Sequence, residues 1–366
     1  MTTSFEALVP LGWDGRTSAL YLSFPAGPDE SADAAPPATD GRRPGRVVRV
    51  DLDRCLVATP DGPVAATAPE LPAVGDWVVL DPRPTVVPPW DVAGVLDRRS
   101  ALTRRAGETA QTGQVMASNV DLVAVVVSLD RPLNVRRLER ELVLAWDSGA
   151  QPMIVLNKAD VHPDPAGVQR LVRSRVPRVE VVVTSTVTGA GIDVLTAAMR
   201  PHRTMVLLGA SGVGKSSLVN RLAEKEVLLT GEVRAGDHKG RHTTSARHLI
   251  VLAGGGVLID TPGVRGLGLW DAADAVAMAY ADIEKLAAGC RFNDCRHAGE
   301  PGCAVAEAVV GGRLEPGRLA HYAKLAKEAS HNERRGDPKK EARKRRHDRS
   351  VQLAYRRSVK AKKRAR

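Results

Sequence analysis

The sequence predicts a multi-domain protein. A small N-terminal β-barrel precedes a central α/β domain with a mostly parallel sheet, and a C-terminal helical, metal-binding region ends in a basic tail. Three observations predict this organisation. Short β-branched runs separated by turn residues come first, apolar runs alternating with helix-forming stretches follow from about residue 120, and an Ala-rich segment with clustered Cys and His comes last. A length of 366 residues fits two or three domains.

The N-terminal part contains a loop-like stretch and then the predicted barrel. Residues 25–45 are rich in Pro, Ala, Gly and Asp, which is typical of a disordered linker or a long loop. Short strand-like runs follow at 46–52, 54–58, 76–80 and 92–96. Their spacing predicts a small barrel of the OB-like type. We therefore assign residues 1–45 to an N-terminal segment and linker, and residues 46–104 to the barrel.

The central part, residues 105–270, has the sequence pattern of an α/β domain. The continuous apolar run at 122–127 predicts a strand that is buried on both faces. Further strands are predicted at 153–156, 179–183, 205–208, 248–252 and 257–259, with helices at 134–148 and 193–199. Strands that alternate with helices imply a mostly parallel sheet. Residues 271–332 are assigned to the helical metal-binding region and 333–366 to the tail, which we expect to be disordered when unbound.

The positive charge is concentrated in the tail. Residues 333–366 contain 16 Lys or Arg and 4 Asp or Glu, a net +12, whereas the whole chain carries +11, so the other 332 residues sum to −1. A basic block of this kind is typical of contact with nucleic acid or another anionic surface. The alternative is a solubilising tail without a specific partner.

Cysteine usage and hydropathy indicate a cytoplasmic protein. Three of the four cysteines cluster and cannot all pair with one another, which argues against a secreted disulfide framework. Residues 1–10 lack the basic and apolar regions of a signal peptide, and no apolar run approaches the roughly 18 residues needed to cross a bilayer. We expect no membrane partner and a monomer.

A phosphate-binding loop is the most specific motif. Gly209-Ala-Ser-Gly-Val-Gly-Lys-Ser216 fits G-x-x-x-x-G-K-[ST] between a predicted strand and a predicted helix. Lys215 should reach the β- and γ-phosphates of a nucleotide, and the Ser216 hydroxyl should coordinate Mg²⁺. The alternative is a Gly-rich turn without a ligand. The predicted phosphate contacts are Gly209, Ala210, Ser211, Gly212, Val213, Gly214, Lys215, Ser216 and Ser217.

A guanine-reading motif precedes this loop. Asn157-Lys158-Ala159-Asp160 follows a predicted strand and fits N-K-x-D. The carboxylate of Asp160 can accept from N1–H and the 2-amino group of guanine, donors that adenine lacks. The segment 184–191 resembles the last GTPase motif, in which a backbone N–H meets guanine O6. Ser185 and Thr186 stand there, with Thr186 where Ala is usual.

The order of the motifs is permuted. Asp260-Thr-Pro-Gly263 follows the strand at 257–259; Asp260 should hold Mg²⁺ through water, and the Gly263 N–H should touch the γ-phosphate. No N-K-x-D motif follows Gly263, so the guanine reader precedes the phosphate loop instead of following Gly263 as in Ras-like enzymes. The same sheet can still form, because permutation only relocates the chain ends.

A Cys/His cluster predicts a structural zinc site. Cys290, Cys295, His297 and Cys303 are spaced as C-x4-C-x-H-x5-C. Three thiolates and one imidazole suit tetrahedral Zn²⁺, and four protein ligands leave no open position for catalysis. The alternative is buried cysteines with a chance His nearby.

Together, the permuted motifs, the predicted barrel, the Cys/His element and Gly240-Arg-His-Thr-Thr244 resemble the ribosome small-subunit-dependent GTPase A family over roughly residues 44–330. The resemblance implies a GTPase that uses Mg²⁺, binds the 30S ribosomal subunit and its rRNA, assists late maturation of that subunit, and is stimulated by it.

The resemblance also assigns roles to a loop before the strand at 248–252. Thr243 or Thr244 should complete the Mg²⁺ site in the GTP state, and the sequence does not choose between them. Val264 stands where Ras-like enzymes have a water-orienting Gln, and the resemblance implies that His242 takes this role. The predicted catalytic residues are His242, Lys215, Thr243 and Thr244. The alternative is a surface or ligand-contacting His.

Two other functions are compatible with parts of the sequence. An RNA-binding protein with vestigial nucleotide binding is disfavoured by the intact Lys215, Ser216 and Asp260. A metabolic or transport NTPase is disfavoured by the N-K-x-D motif, and equal competition by ATP and GTP would support it.

Overall fold

The structure, a computed structural model, describes residues 5–25, 41–83, 85–105, 113–224, 248–260 and 272–336. The described residues fall into two compact units, one that ends at residue 260 and one that comprises 272–336. Most of the predicted linker (26–40) and of the predicted tail (337–366) lies outside them.

Five strands near the N-terminus enclose a small core. They are β1 (Arg43–Val50), β2 (Cys55–Thr59), β3 (Gly62–Ala66), β4 (Trp77–Pro82) and β5 (Trp90–Val95). Antiparallel pairing runs in the order β3–β2–β1–β4–β5. Directly after β3, the Thr67 N–H donates to Trp90 O at 3.1 Å and the Val92 N–H donates to Thr67 O at 2.8 Å. These bonds join the two ends of the sheet around an interior of aliphatic side chains and Cys55.

The segment before β1 packs on these strands through aromatic side chains. A 3₁₀ turn (Phe5–Leu11) leads to α1 (Gly15–Leu22), which begins where the Asp14 carboxylate accepts from the Thr17 N–H at 2.8 Å. Trp13 lies edge-on to Trp77 of β4, with ring centroids 5.0 Å apart. Phe5 and Tyr21 complete the cluster, so several of the chain's few aromatic residues anchor one terminal segment.

Arg46 of β1 is the largest fully buried side chain of this unit. It donates to the carbonyl oxygens of Gly75 (3.2 Å), Asn119 (3.1 Å) and Leu11. One guanidinium therefore ties the N-terminal segment and the five-stranded part to the entry of the α/β domain.

The α/β domain follows a two-stranded hairpin of β6 (Ala101–Arg105) and β7 (Gly113–Ser118). Its strands are β8 (Leu122–Ser128), β9 (Gln151–Asn157), β10 (Glu180–Val183), β11 (Thr204–Leu208), β12 (His248–Val251) and β13 (Val257–Asp260). Its helices are α2 (Val135–Asp147), α3 (Pro165–Arg175), α4 (Ile192–Ala198) and α5 (Lys215–Leu222).

The sheet of this domain is mostly parallel, as the alternation of strands and helices predicts. Its order is β10–β9–β8–β11–β13–β12, and all neighbours are parallel except the pair β13–β12. The far edge of β12 pairs with β1 through Arg49 and His248, which makes one continuous sheet with the five-stranded part. The carboxyl ends of β8, β9, β11 and β13 consequently lie at one edge, where ligands bind in open α/β sheets.

The second unit is helical, as predicted. It contains α6 (Ala273–Ala279), α7 (Ala281–Ala287), α8 (Ala304–Val310) and α9 (Pro316–Gly336). Tyr280, between α6 and α7, is fully buried and its hydroxyl lies 2.6 Å from Nδ1 of His321 on α9. None of the described helices combines the length and the apolar character that crossing a bilayer requires.

The structure adds elements that the sequence patterns did not predict, namely β3, the β6–β7 hairpin and α3. β1 begins at Arg43, three residues before the predicted start of the barrel, and α9 continues through Gly336, so the first residues of the predicted tail are helical. The predicted boundary at 104/105 falls inside β6. The domain limits themselves stay a prediction.

Candidate nucleotide and metal sites

The predicted phosphate loop connects β11 to α5. Gly209, Gly212 and Gly214 have φ angles of +141°, +78° and +95°, which L side chains rarely adopt. A Cβ at Gly209 would lie 2.4 Å from Val126 O. The loop can therefore hold this shape only with glycine, and it ends at the N-terminus of α5, where backbone N–H groups suit phosphate oxygens.

Lys215 is the first residue of α5, and its side chain turns back into the loop. Its Nζ donates to Gly209 O at 2.9 Å and to Ala210 O at 2.8 Å. The ammonium group thus lies among the loop carbonyls, where its charge can meet the terminal phosphates of a nucleotide. Ser216 and Ser217 follow in the first turn of α5.

Asn157 joins the guanine reader to the phosphate loop. It ends β9, is fully buried, and donates from Nδ2 to Val213 O at 3.0 Å. Its Oδ1 accepts from the hydroxyl of Thr184 at 3.1 Å. Three separate stretches of chain therefore meet at this one amide, and they are the three stretches that sequence reasoning assigned to the base and the phosphates.

Lys158 and Ala159 add further hydrogen bonds between the same three stretches of chain. Lys158 has a left-handed backbone (φ 62°), and its Nζ donates to Gly212 O at 2.9 Å. The Ala159 N–H donates to Thr184 O at 3.0 Å, which fixes the two base-side loops against each other.

The carboxylate of Asp160 is oriented by the loop after β10. The Ser185 hydroxyl donates to Asp160 Oδ1 at 2.5 Å and accepts from the Thr188 N–H at 3.1 Å. Asp160 itself is exposed, and Thr186, which follows Ser185 in the sequence, is half-buried. A carboxylate held in this way can present its second oxygen to two donors of a purine edge.

Asp260 ends β13, the strand next to β11. Burial raises the pKa of Asp260, while the charges of His248 and Lys215 oppose the rise. Asp260 and the Ser216 hydroxyl are oxygen donors at the same edge of the sheet, the kind of ligand that Mg²⁺ prefers. The chemistry of these donors fits a magnesium ion, which Ser216 and Asp260 would hold. His242, Thr243, Thr244 and Gly263 lie outside the described residues.

The four predicted zinc ligands converge. Their ligand atoms all lie within 4.8 Å of one another. Nδ1 of His297 lies 3.6 Å from Sγ of Cys290 and 3.4 Å from Sγ of Cys303, and the two sulfurs lie 4.0 Å apart. Tetrahedral zinc with bonds of about 2.3 Å to sulfur and about 2.0 Å to nitrogen would set sulfur pairs about 3.8 Å and sulfur–nitrogen pairs about 3.5 Å apart. The cluster therefore fits one zinc ion.

The N-terminus of α8 supports the thiolates. Cys303 is its N-cap, and the Ala306 N–H donates to Cys303 Sγ at 3.3 Å. Burial by itself would raise the pKa of Cys290, but hydrogen bonds from the N–H groups of Val305 and Ala304 outweigh it, so the pKa is lowered. Thiolates are the form that binds metal.

Sequence reasoning missed Thr184 as a partner of Asn157 and Tyr322 as a neighbour of the zinc cluster. The ring of Tyr322 lies 6.4 Å from that of His297, and its hydroxyl donates to Glu284 at 2.9 Å. No spacing signal links these residues, because their partners lie on other elements.

Comparison with known proteins finds similar GTPases. The family model described as RsgA GTPase matches residues 95–270. The small ribosomal subunit biogenesis GTPase RsgA of Streptomyces avermitilis is 45% identical over 338 residues, covering 89% of this chain and 87% of that protein.

Two solved structures are similar as well. The crystal structure of YjeQ from Thermotoga maritima has a TM-score of 0.59 and 27% identity, covering 79% of this chain and 98% of that one. YloQ, titled a circularly permuted GTPase, has a TM-score of 0.56 and 22% identity, covering 79% and 96%, and this likeness shows the fold alone.

Proposed function

Because this chain belongs to the RsgA family of circularly permuted GTPases and is a GTP-hydrolysing enzyme, we propose that it binds the small (30S) ribosomal subunit and its rRNA and assists late maturation of that subunit. The subunit stimulates hydrolysis of GTP to GDP and phosphate, and the protein acts in the cytoplasm as a monomer. The names of the relatives, which refer to biogenesis of the small ribosomal subunit, support the choice of partner.

The observation that carries the nucleotide part of the proposal is the contact of Asn157 with Val213. This hydrogen bond, at 3.0 Å, joins the N-K-x-D motif to the G-x-x-x-x-G-K-S loop 56 residues further along the chain, which supports a shared nucleotide site. One nucleotide then spans both, with its base against Asp160 and Ala159 and its phosphates in the loop. The Thr186 N–H lies on the base side.

Hydrolysis needs charge neutralisation and a positioned water. Lys215 supplies a positive charge inside the loop, and Ser216 with Asp260 would hold Mg²⁺, which when bound neutralises charge on the phosphate oxygens. His242 orients the attacking water, with Thr243 or Thr244 as a further Mg²⁺ ligand and the Gly263 N–H as the γ-phosphate sensor. These four residues are assigned from the sequence alone.

The Cys/His cluster holds one structural Zn²⁺ through Cys290, Cys295, His297 and Cys303. The irregular segment between α7 and α8 has little apolar core of its own, so a metal would supply its stability. The supporting observation is the agreement of its sulfur–nitrogen distances, 3.4 and 3.6 Å, with a tetrahedral site.

The five-stranded part is an OB-like barrel, and it contributes to rRNA binding together with the tail. The pairing order β3–β2–β1–β4–β5 and the bonds of Thr67 to β5 support this assignment. Proteins with this barrel type bind oligonucleotides on one face.

Phosphate release in the presence and absence of purified 30S subunits tests the proposal. We expect slow release without the subunit, a marked increase with it, and a preference for GTP over ATP. His242→Ala should lower the stimulated turnover while leaving GTP affinity nearly unchanged. Equal rates with and without subunits, together with no co-sedimentation in either the GDP or the non-hydrolysable GTP state, would contradict the choice of partner.

A further inference from the structure

Asp130, in the loop after β8, contacts the guanine reader. Its Oδ2 lies 2.6 Å from Nζ of Lys158, and both side chains are about one third exposed (29% and 32%). Sequence reasoning gave Asp130 no role, and the resemblance to known families gave it none.

Two further hydrogen bonds fix the orientation of Asp130 through its second carboxylate oxygen. Its Oδ1 accepts from the hydroxyl of Ser128 at 2.6 Å and from Nε of Arg131 at 2.8 Å. Ser128 is buried at the end of β8 and lies opposite Asn157 in the register of β8 and β9. Hydrogen bonding to Arg131, followed by Lys158 and Ser128, holds the pKa of Asp130 well below its usual range, so the carboxylate is ionised at neutral pH.

Lys158 links the base side and the phosphate side of the proposed nucleotide site. It stands between Asp160, which the Ser185 hydroxyl orients, and Gly212, whose carbonyl accepts from Lys158 Nζ at 2.9 Å. A nucleotide whose base reaches Asp160 and whose phosphates fill the loop must pass Lys158. The long aliphatic stem of this lysine would lose much rotamer freedom on binding unless its ammonium group were already held.

We propose that Asp130 is a positioning residue that holds the ammonium group of Lys158 against the phosphate loop and thereby slows the release of guanine nucleotides. This inference rests on the proposed nucleotide site. Asp130 does not touch the nucleotide itself; it acts through Lys158, so its effect falls on binding and not on the chemical step.

The experiment measures release of fluorescent GDP and GTP analogues from the full-length protein by stopped flow. Asp130→Asn keeps the shape of the side chain and removes its charge. We expect release of both nucleotides to become roughly three- to tenfold faster, since a charge-assisted bond is lost but the pair is partly exposed to solvent. The KM for GTP should rise by a similar factor while kcat stays within about twofold.

Two further variants separate positioning from a general structural effect. Asp61→Asn breaks an exposed ion pair with Arg43 in the five-stranded part and leaves Asp130 and Lys158 untouched, so we expect release rates close to wild type. In a Lys158→Met background, Asp130→Asn should add no further acceleration, because a residue that acts through Lys158 has no effect without it.

The outcomes are distinct. Unchanged release from Asp130→Asn, or an equal acceleration in the Lys158→Met background, overturns this inference while leaving the nucleotide site intact. Failure of the wild-type protein to bind guanine nucleotides overturns the proposed function itself.

Discussion

The guanidinium of Arg46 is buried, and it donates to the carbonyl oxygens of Leu11, Gly75 and Asn119. Burial lowers its pKa to about 10, so it is still charged at neutral pH. The Cζ atom of Arg46 also lies over the Trp77 ring, 5.2 Å from its centroid. Such a group satisfies three acceptors from three stretches of chain. Its removal takes this donor from the carbonyl oxygens of Leu11 and Asn119, whereas Gly75 O keeps its bond from Asn119 Nδ2 at 3.0 Å.

Arg46→Met should therefore lower the free energy of unfolding by about 2–4 kcal/mol, because buried acceptors lose their donor. Urea titration of the full-length protein measures this change. Arg43 on the same strand is the matched control, because it lies 5.0 Å from the Trp90 ring and pairs with Asp61 but is exposed. Arg43→Met should cost less than about 1 kcal/mol. Equal losses in the two variants would contradict the role of Arg46.

Gly214 shows why the phosphate loop depends on glycine. Its φ is +95°, and a Cβ there would lie 2.3 Å from Nδ2 of Asn157, the atom that bonds Val213. Gly214→Ala should therefore displace Asn157 and weaken GTP binding by at least about tenfold, the size of one buried hydrogen bond.

Equilibrium titration with a fluorescent GTP analogue measures this effect. Gly62, the first residue of β3, provides the control, since its φ is +114° but a Cβ there meets nothing within 4 Å. Gly62→Ala introduces backbone strain of about 1 kcal/mol without changing nucleotide binding. Comparable affinity losses would show that strain, and not the contact with Asn157, is responsible.

The residues that sequence patterns identified are those whose spacing along the chain is fixed by a ligand. The phosphate loop, the guanine reader and the Cys/His cluster are short segments, so one bound group dictates several nearby positions. Sequence patterns do not identify Arg46 and Asp130, because their partners are distant along the chain. Asn119 lies 73 positions from Arg46, and Lys158 lies 28 positions from Asp130. Such pairs exist only once the sheet has formed.

At the scale of elements, the sequence predicts a helix or strand best where its apolar pattern is strong. β8 and β9 are nearly continuous apolar runs with buried residues throughout, and both were predicted. α3 buries only Val172 among its residues, so no apolar stripe marks it, although Asp164 caps it by accepting from the Gly167 N–H at 2.8 Å. β3 is five residues long and begins with Gly-Pro, which weakens any strand signal.

The segment between α7 and α8 is the element that depends most on a ligand. Glu300 braces it by accepting from the N–H groups of Ala298 at 2.7 Å and Arg296 at 3.1 Å, yet Phe292 is 43% exposed. Few apolar contacts hold this segment together, so bound zinc would contribute folding free energy directly.

Cys295→Ser should therefore reduce bound zinc from about one per chain to nearly none and lower the thermal stability of the helical unit. Elemental analysis and circular dichroism measure the two effects. Cys55→Ala is the control, because Cys55 is buried in the five-stranded part and is not one of the clustered ligands. Zinc content that survives in Cys295→Ser, or falls equally in Cys55→Ala, would contradict the assignment of the site.

At the scale of the whole molecule, charge is distributed unevenly between the five-stranded part and the tail. Seven arginines in and around the described five-stranded part each lie within 3.3 Å of an aspartate carboxylate. The pairs are Arg42–Asp81, Arg43–Asp61, Arg49–Asp51, Arg54–Asp53, Arg83–Asp91, Arg98–Asp76 and Arg99–Asp14. This part of the surface therefore offers little unbalanced positive charge to a polyanion.

The residues after α9 have the opposite character. Positions 337–366 contain 14 Lys or Arg and 3 Asp or Glu. If rRNA is the partner, most of the counterion release on binding should come from this segment, because the rest of the chain is close to neutral. Contacts of this kind add affinity and salt sensitivity without reading sequence.

Deletion of residues 337–366 should weaken binding to 30S subunits and flatten the dependence of affinity on salt, since fewer phosphates are neutralised. Co-sedimentation across a salt series measures both quantities. GTP hydrolysis without the subunit serves as the internal control and should not change, because the deletion begins after α9 and removes no residue assigned to the nucleotide. An unaltered salt dependence would mean that positive charge on the folded units, and not on the tail, makes the contact with RNA.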